Sequence, residues 1–130
     1  MEDLKGKKIG VLGLTFKPNT DEMREASSLV ILPELVKMGA SIKAFDPEGM
    51  VESQWRMKAI EDSIEYCKDE YTAISDCDAL VILTEWNQFR SLDLEKVKSL
   101  MKDHFFFDFR NIYNRRELED RGFVYDCIGR

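Results

Sequence analysis

Three observations predict an α/β fold: a doubly wound, mostly parallel sheet with helices on both faces, as in a Rossmann-like three-layer sandwich. Short apolar runs alternate along the chain with segments whose apolar residues recur at helical spacing. The first run, Ile9 to Leu14, is apolar or glycine throughout, as a strand buried on both faces should be. Strand, helix and strand then follow between Ile9 and Phe45. That is about the length of a βαβ unit, which is right-handed in nearly every case.

The elements follow in order. Ile9 to Leu14 is the first strand. Asp21 to Ser28 supplies capping residues, Leu29, Leu32, Leu35 and Val36 mark a helix, and Gly39 is its C-cap. Pro33 falls inside this pattern, either near the first turn or as a kink. Ser41 to Phe45 is the second strand, ended by Asp46-Pro47. Glu48 to Lys58 reads equally as a short helix or an irregular excursion, and Glu65 to Cys67 as a short strand. Asp69 to Ser75 predicts a helix and Ala79 to Thr84 a strand. Trp86 to Phe89 opens a helical region that breaks at Ser91, and Asp93 to Met101 is a charged helix with Leu94, Val97, Leu100 and Met101 on one side. His104 to Asp108 is an aromatic strand, Arg115 to Asp120 a short helix stopped by Gly122, and Phe123 to Tyr125 a last strand.

A chain of 130 residues with 44% hydrophobic and 34% charged residues predicts one globular domain, whose core needs no disulfide or metal. The formal net charge of -6 argues against non-specific binding to nucleic acid or an anionic membrane, both of which need a basic face. An anionic ligand must then be held by local cations. Cys67, Cys77 and Cys127 are odd in number and irregularly spaced, which predicts no disulfide framework and fits a reducing cytoplasm. No apolar run approaches the roughly 18 residues needed to span a bilayer, and Met1 to Lys5 lacks the apolar stretch of a signal peptide.

Doubly wound sheets bind ligands outside the carboxyl ends of their strands. Thr15 to Arg24, Asp46 to Gly49, Thr84 to Asn87 and Asp108 to Asn111 all follow predicted strands and should gather at one edge. The first loop is the most informative, because it joins a strand end to a helix start and carries Lys17 and Arg24. Lys17 offers a mobile point charge and Arg24 a planar fork to a phosphate or sugar hydroxyl. Alternatively both are solvated side chains paired with Asp21, Glu22 or Glu25. Arg110, at the end of the aromatic strand, either reaches into the ligand crevice or pairs with Asp108 or Glu117, while Asp108 and Asn111 can cap the next segment.

Gly10 and Gly13 form a GxxG pair and not the GxGxxG dinucleotide fingerprint, so they serve a ligand or close strand–helix packing. Asp46 occupies the place of a ribose-binding acid or forms the turn before Pro47. Trp86 and Phe89 either stack on a base or pack in the core. His104 has no triad partners and reads as structural. Cys77 lies between Asp76 and Asp78, which should raise its thiol pKa, and no cysteine has metal-ligand spacing. These residues describe an anion- or nucleotide-binding domain without a visible catalytic centre.

Residues Gly13 to Ser28 resemble the C-terminal domain of the UDP-glucose/GDP-mannose dehydrogenase family, through Gly-Leu-x-Phe-Lys-x-x-Thr-Asp-x-x-Arg-Glu-Ala-x-Ser. Lys43 to Pro47, Asp78 to Trp86 with its Thr84-Glu85-Trp86, and Phe107 to Tyr113 resemble three further stretches of that domain. The resemblance implies that residues 1–130 are one domain of a longer enzyme that oxidises the C6 hydroxyl of a nucleotide sugar to a carboxylate, reducing two NAD. It implies that Phe16, Lys17 and Arg110 contact the UDP-sugar and that Arg24 reaches NAD, which is held mainly by an N-terminal domain. It also implies a homodimeric whole enzyme in the cytoplasm, with the nucleophilic cysteine in a central region outside this chain, so that the chain alone is inactive. The closing Gly122 to Arg130 resembles the UDP-glucose-oxidising bacterial members, which form UDP-glucuronate. UDP-N-acetylmannosamine and GDP-mannose are the alternative substrates within the family. A non-catalytic nucleotide-binding module is the alternative outside it. Phe109 departs from the pattern by standing where the family usually has Gly, which would redirect Arg110 or narrow the site.

Overall fold

The strand predicted from Ile9 forms but ends before its apolar run does. β1 covers Lys8–Leu12, because Gly13 turns the chain at φ +97° and the next two amides leave the sheet ladder for a carboxylate described below. The computed structural model describes residues 4–15 and 28–127. The further strands are β2 (Ser41–Phe45), β3 (Ile64–Tyr66), β4 (Ala79–Ile82), β5 (Phe105–Asp108) and β6 (Val124–Cys127). They form one sheet in the order β3-β2-β1-β4-β5-β6, with every neighbouring pair parallel. The chain runs outward from β1 through β2 to β3, then returns to place β4 on the other side of β1. The switch point therefore lies between the carboxyl ends of β1 and β4.

The helices are α1 (Ser28–Lys37), α2 (Met50–Arg56), α3 (Glu70–Ile74), α4 (Asn87–Arg90), α5 (Leu94–Leu100) and α6 (Arg115–Asp120). Three begin on side-chain caps. Asp69 accepts from the Thr72 amide at 2.7 Å, Asp93 from the Lys96 amide at 3.2 Å and Asn114 from the Glu117 amide at 3.2 Å, each worth about 1 kcal/mol. The ambiguous stretch after β2 resolves into α2 followed by a 3-10 segment, Lys58–Ser63. Pro33 stands inside α1, where it costs the helix a hydrogen bond to the Leu29 carbonyl.

The sheet separates two apolar layers. Leu80, Ile82 and Phe106 pack with Ile74, Phe89, Val97 and Leu118 beneath α3, α4, α5 and α6. Ile9, Val11, Ile42, Ala79 and Val81 pack with Leu32 beneath α1. Helices thus lie on both faces, but unevenly. Parallel sheets are ordinarily covered on both sides. On the α1 side of β5 and β6, however, no described helix lies over the strands. There the Phe105 and Phe107 rings stack at 6.4 Å and 3°, both only half-buried, and Val124 is 57% exposed. An apolar groove of about 340 Å³ runs beside them, bounded by Ile31 and Leu35 of α1 and by Val81, Phe107 and Phe109.

Candidate functional site at the carboxyl edge

The base of the loop after β1 is fastened to three neighbours. Asp46, at the end of β2, is fully buried. Its Oδ2 accepts from the Leu14 amide at 2.7 Å, the Thr15 amide at 3.2 Å, the Thr15 hydroxyl at 3.2 Å and Trp86 Nε1 at 3.3 Å. Its Oδ1 accepts from the Glu48 and Gly49 amides at 2.9 and 2.7 Å. The Thr84 hydroxyl, just past β4, donates to the Thr15 carbonyl at 2.7 Å. The Ser28 hydroxyl, where α1 begins, donates to the Leu14 carbonyl at 2.6 Å. The two ends of the loop are therefore joined to each other and to the strand ends on either side of β1. Gly13 permits this approach: a Cβ built on it would lie 2.6 Å from the Thr84 amide nitrogen.

A second buried carboxylate organises the end of β5. Asp108 Oδ1 accepts from the Arg110 amide at 3.0 Å, and its Oδ2 accepts from the Tyr113 amide at 2.9 Å and the Tyr125 hydroxyl at 2.8 Å. Asn111 takes a left-handed conformation, φ 57°, within this turn. The Tyr113 hydroxyl donates to the Phe89 carbonyl and accepts from the Leu92 amide at 3.3 Å. Burial pushes its pKa up to about 12, which keeps it a neutral donor. On this frame the Arg110 guanidinium crosses to the loop after β4. Nε and Nη2 donate to Glu85 Oε2 and Oε1 at 3.0 and 3.2 Å.

Residues 10–115 match the sequence model described as the UDP-glucose/GDP-mannose dehydrogenase family, UDP binding domain. The chain belongs to the UDP-glucose/GDP-mannose dehydrogenase family. It is 47% identical to a UDP-glucose 6-dehydrogenase of Rhizobium meliloti (strain 1021), over 98% of this chain and 28% of that protein. It is 41% identical to the UDP-glucose 6-dehydrogenase TuaD of Bacillus subtilis (strain 168), over all of this chain and 28% of that protein. The chain thus spans little more than a quarter of the length of the curated relatives it matches. Among solved structures, an NDP-N-acetyl-D-galactosaminuronic acid dehydrogenase from Methanosarcina mazei Go1 superposes with a TM-score of 0.82 at 26% identity, covering 98% of this chain and 26% of that one. A UDP-glucose dehydrogenase from Pyrobaculum islandicum gives a TM-score of 0.73 at 30% identity, covering 88% of this chain and 24% of that one.

Within this family member, Arg110 and the base of the signature loop share one edge, as the sequence predicts. Phe16, Lys17 and Arg24 lie outside the described residues. Several alternatives resolve toward structure. Asp46 is a clamp between strand ends, with both oxygens engaged inside the fold. Trp86 is 7% exposed and Phe89 fully buried, and the Phe89 ring meets Phe45 edge-on at 6.2 Å, so both are core residues. Gly10 serves close packing, since a Cβ there would lie 2.8 Å from the Ala73 carbonyl oxygen of α3. His104 Nε2 lies 3.3 Å from the Lys98 carbonyl and its ring contacts Phe123, a structural role. Phe109 lines the apolar groove beside α1.

Two expectations need correction. Arg110 pairs with Glu85 and not with Asp108 or Glu117, because β4 and β5 are adjacent and bring the loops that follow them together; Asp108 takes only its backbone amide. The Cys77 thiol is raised to about 12 as expected in direction, but burial is the first cause and Asp78 a lesser one. Sequence reasoning passed over Glu85 as a site residue. The signal was present: an acid in the loop after β4 and a base in the loop after β5 become neighbours in any 4-5 strand order.

Proposed function

We propose that this chain supplies the nucleotide-sugar half of the active site of a longer, NAD-dependent dehydrogenase that oxidises UDP-glucose to UDP-glucuronate. The observation that carries the reading is the line of contacts Arg110–Glu85–Thr84–Thr15. It sets a guanidinium beside the base of the signature loop at the carboxyl edge, where an α/β sheet takes its ligand. Arg110 pairs with the diphosphate of the UDP-sugar, Phe16 and Lys17 contact the same substrate, and Arg24 reaches toward NAD. NAD, when bound mainly by the preceding domain, accepts the hydride. This chain's part is to orient the nucleotide and close over it, which lowers the barrier by positioning.

Cys67 and Cys77 are buried and their thiol pKa values are raised, that of Cys77 to about 12. Neither suits a nucleophile at neutral pH, in keeping with a catalytic thiol elsewhere in the longer enzyme. The whole enzyme is expected to be a cytoplasmic homodimer.

The test is kinetic. The full-length enzyme should form NADH with UDP-glucose in preference to UDP-N-acetylmannosamine and GDP-mannose, and the 130-residue chain should form none. Lys17→Ala in the full-length enzyme should raise KM for UDP-glucose. NADH formation by this chain alone would refute the division of labour. Tight UDP binding by this chain alone would favour a stand-alone nucleotide-binding module.

A further inference from the structure

Arg110 does not stand alone at the carboxyl edge. Glu85 grips its guanidinium side-on, through Nε and Nη2 at 3.0 and 3.2 Å. This leaves the Nη1 side of the fork without a partner among the described residues. The grip comes from a rigid support. Thr84 and Trp86, the residues flanking Glu85, are both buried. Thr84 is fastened to the Thr15 carbonyl and Trp86 to Asp46. On the other side, the Arg110 backbone is fixed by Asp108. Each member of the pair therefore springs from a pinned piece of chain, and the two side chains are 27% and 33% exposed.

A surface ion pair of this exposure adds little to folding stability. Its effect on a ligand is larger, because an unrestrained Arg gives up several rotatable bonds when it binds an anion. A carboxylate that fixes the plane of the fork removes that loss before the ligand arrives. We propose that Glu85 is a positioning residue, holding Arg110 so that the outer edge of its guanidinium meets the diphosphate of a nucleoside diphosphate sugar. The inference rests on the reading that Arg110 contacts the substrate.

The test compares KM for UDP-glucose and inhibition by UDP in the full-length enzyme and its Arg110→Ala, Glu85→Gln, Glu85→Asp and Arg110→Ala/Glu85→Gln variants. Arg110→Ala is expected to raise KM at least about tenfold with little change in kcat, the signature of a lost binding contact. Glu85→Gln, which keeps the size but loses the charge, should raise KM about three- to tenfold. Glu85→Asp, charged but one methylene shorter, should fall between Glu85→Gln and the parent. In the Arg110→Ala background Glu85→Gln should add nothing, because its effect passes through Arg110.

If Arg110→Ala raises KM while Glu85→Gln leaves it unchanged or lowers it, the inference is overturned and the reading of Arg110 stands; a lowered KM would mean that Glu85 competes with the ligand for the fork. If Arg110→Ala leaves KM unchanged, the reading of Arg110 fails and the inference fails with it. A Glu85→Gln effect that persists without Arg110 also overturns it.

Discussion

Replacing Asp46 with Asn should unfasten the carboxyl edge at its centre. The two side chains are nearly the same size, so the change isolates acceptor capacity. Asp46 is fully buried and its two oxygens receive six donors. With the Asn oxygen turned toward Glu48 and Gly49, its NH2 group faces the Leu14 and Thr15 amides and the indole N–H of Trp86. With the amide flipped, the Glu48 and Gly49 amides are the groups left facing N–H. In either orientation at least two backbone donors lose their acceptor, and each such loss costs about 1–3 kcal/mol. For two donors the sum is about 2–6 kcal/mol, a large part of the roughly 5–15 kcal/mol that holds a domain of this size together. It corresponds to a fall of about 6–24 °C in Tm. Urea and thermal unfolding of the 130-residue chain, followed by circular dichroism, would measure it, with exposed Asp62→Asn as the control. A loss below about 1 kcal/mol would refute the clamp, because the donors would then have found water or another acceptor.

Three further outcomes are expected. Gly13→Ala should destabilise the chain by about 2–4 kcal/mol, measured by urea unfolding, because it combines φ +97° with a Cβ 2.6 Å from Thr84; a neutral change would mean that the turn can move. Tyr113→Phe should cost about 1–3 kcal/mol through the bonds to Phe89 and Leu92, read in the same assay, with a neutral result refuting them. Stability should decline in alkali. Cys77 titrates at 9.0 when unfolded and at about 12 when folded, and Tyr113 at 10.0 and about 12. Between those values the unfolded chain holds fewer protons than the folded one, so unfolding becomes easier as pH rises from about 9, by up to ~1.4 kcal/mol per pH unit for each group. Urea midpoints from pH 8 to 11 test this, and Cys77→Ala should reduce the slope below pH 10, leaving the share of Cys67, whose thiol pKa burial also raises.

Much of the fold could be read from local pattern, and the departures share a cause. The Asp69, Asp93 and Asn114 caps act on amides three residues ahead, so the starts of α3, α5 and α6 were visible in sequence. β1 stopping at Leu12 was not, since Leu14 and Thr15 give their amides to an acid more than thirty positions away. Pro33 inside α1 is the reverse case: packing of Leu32 and its neighbours against the sheet outweighs a local helix breaker. Of the site, the shared edge and the loops that form it followed from the alternation of strands and helices, and the place of Arg110 with them.

By itself the sequence determined the alternation of strands and helices, the edge at which the loops after the strands gather and the family to which the chain belongs, because all three rest on residue types at short, regular spacings. The tertiary structure decided what the polar residues at that edge do. It made Asp46 a clamp, put Trp86 in the core and gave Arg110 to Glu85. Those partners lie 31, 40 and 25 positions apart. Periodicity specifies which face of a strand is buried, but only the assembled sheet specifies which strand ends stand side by side.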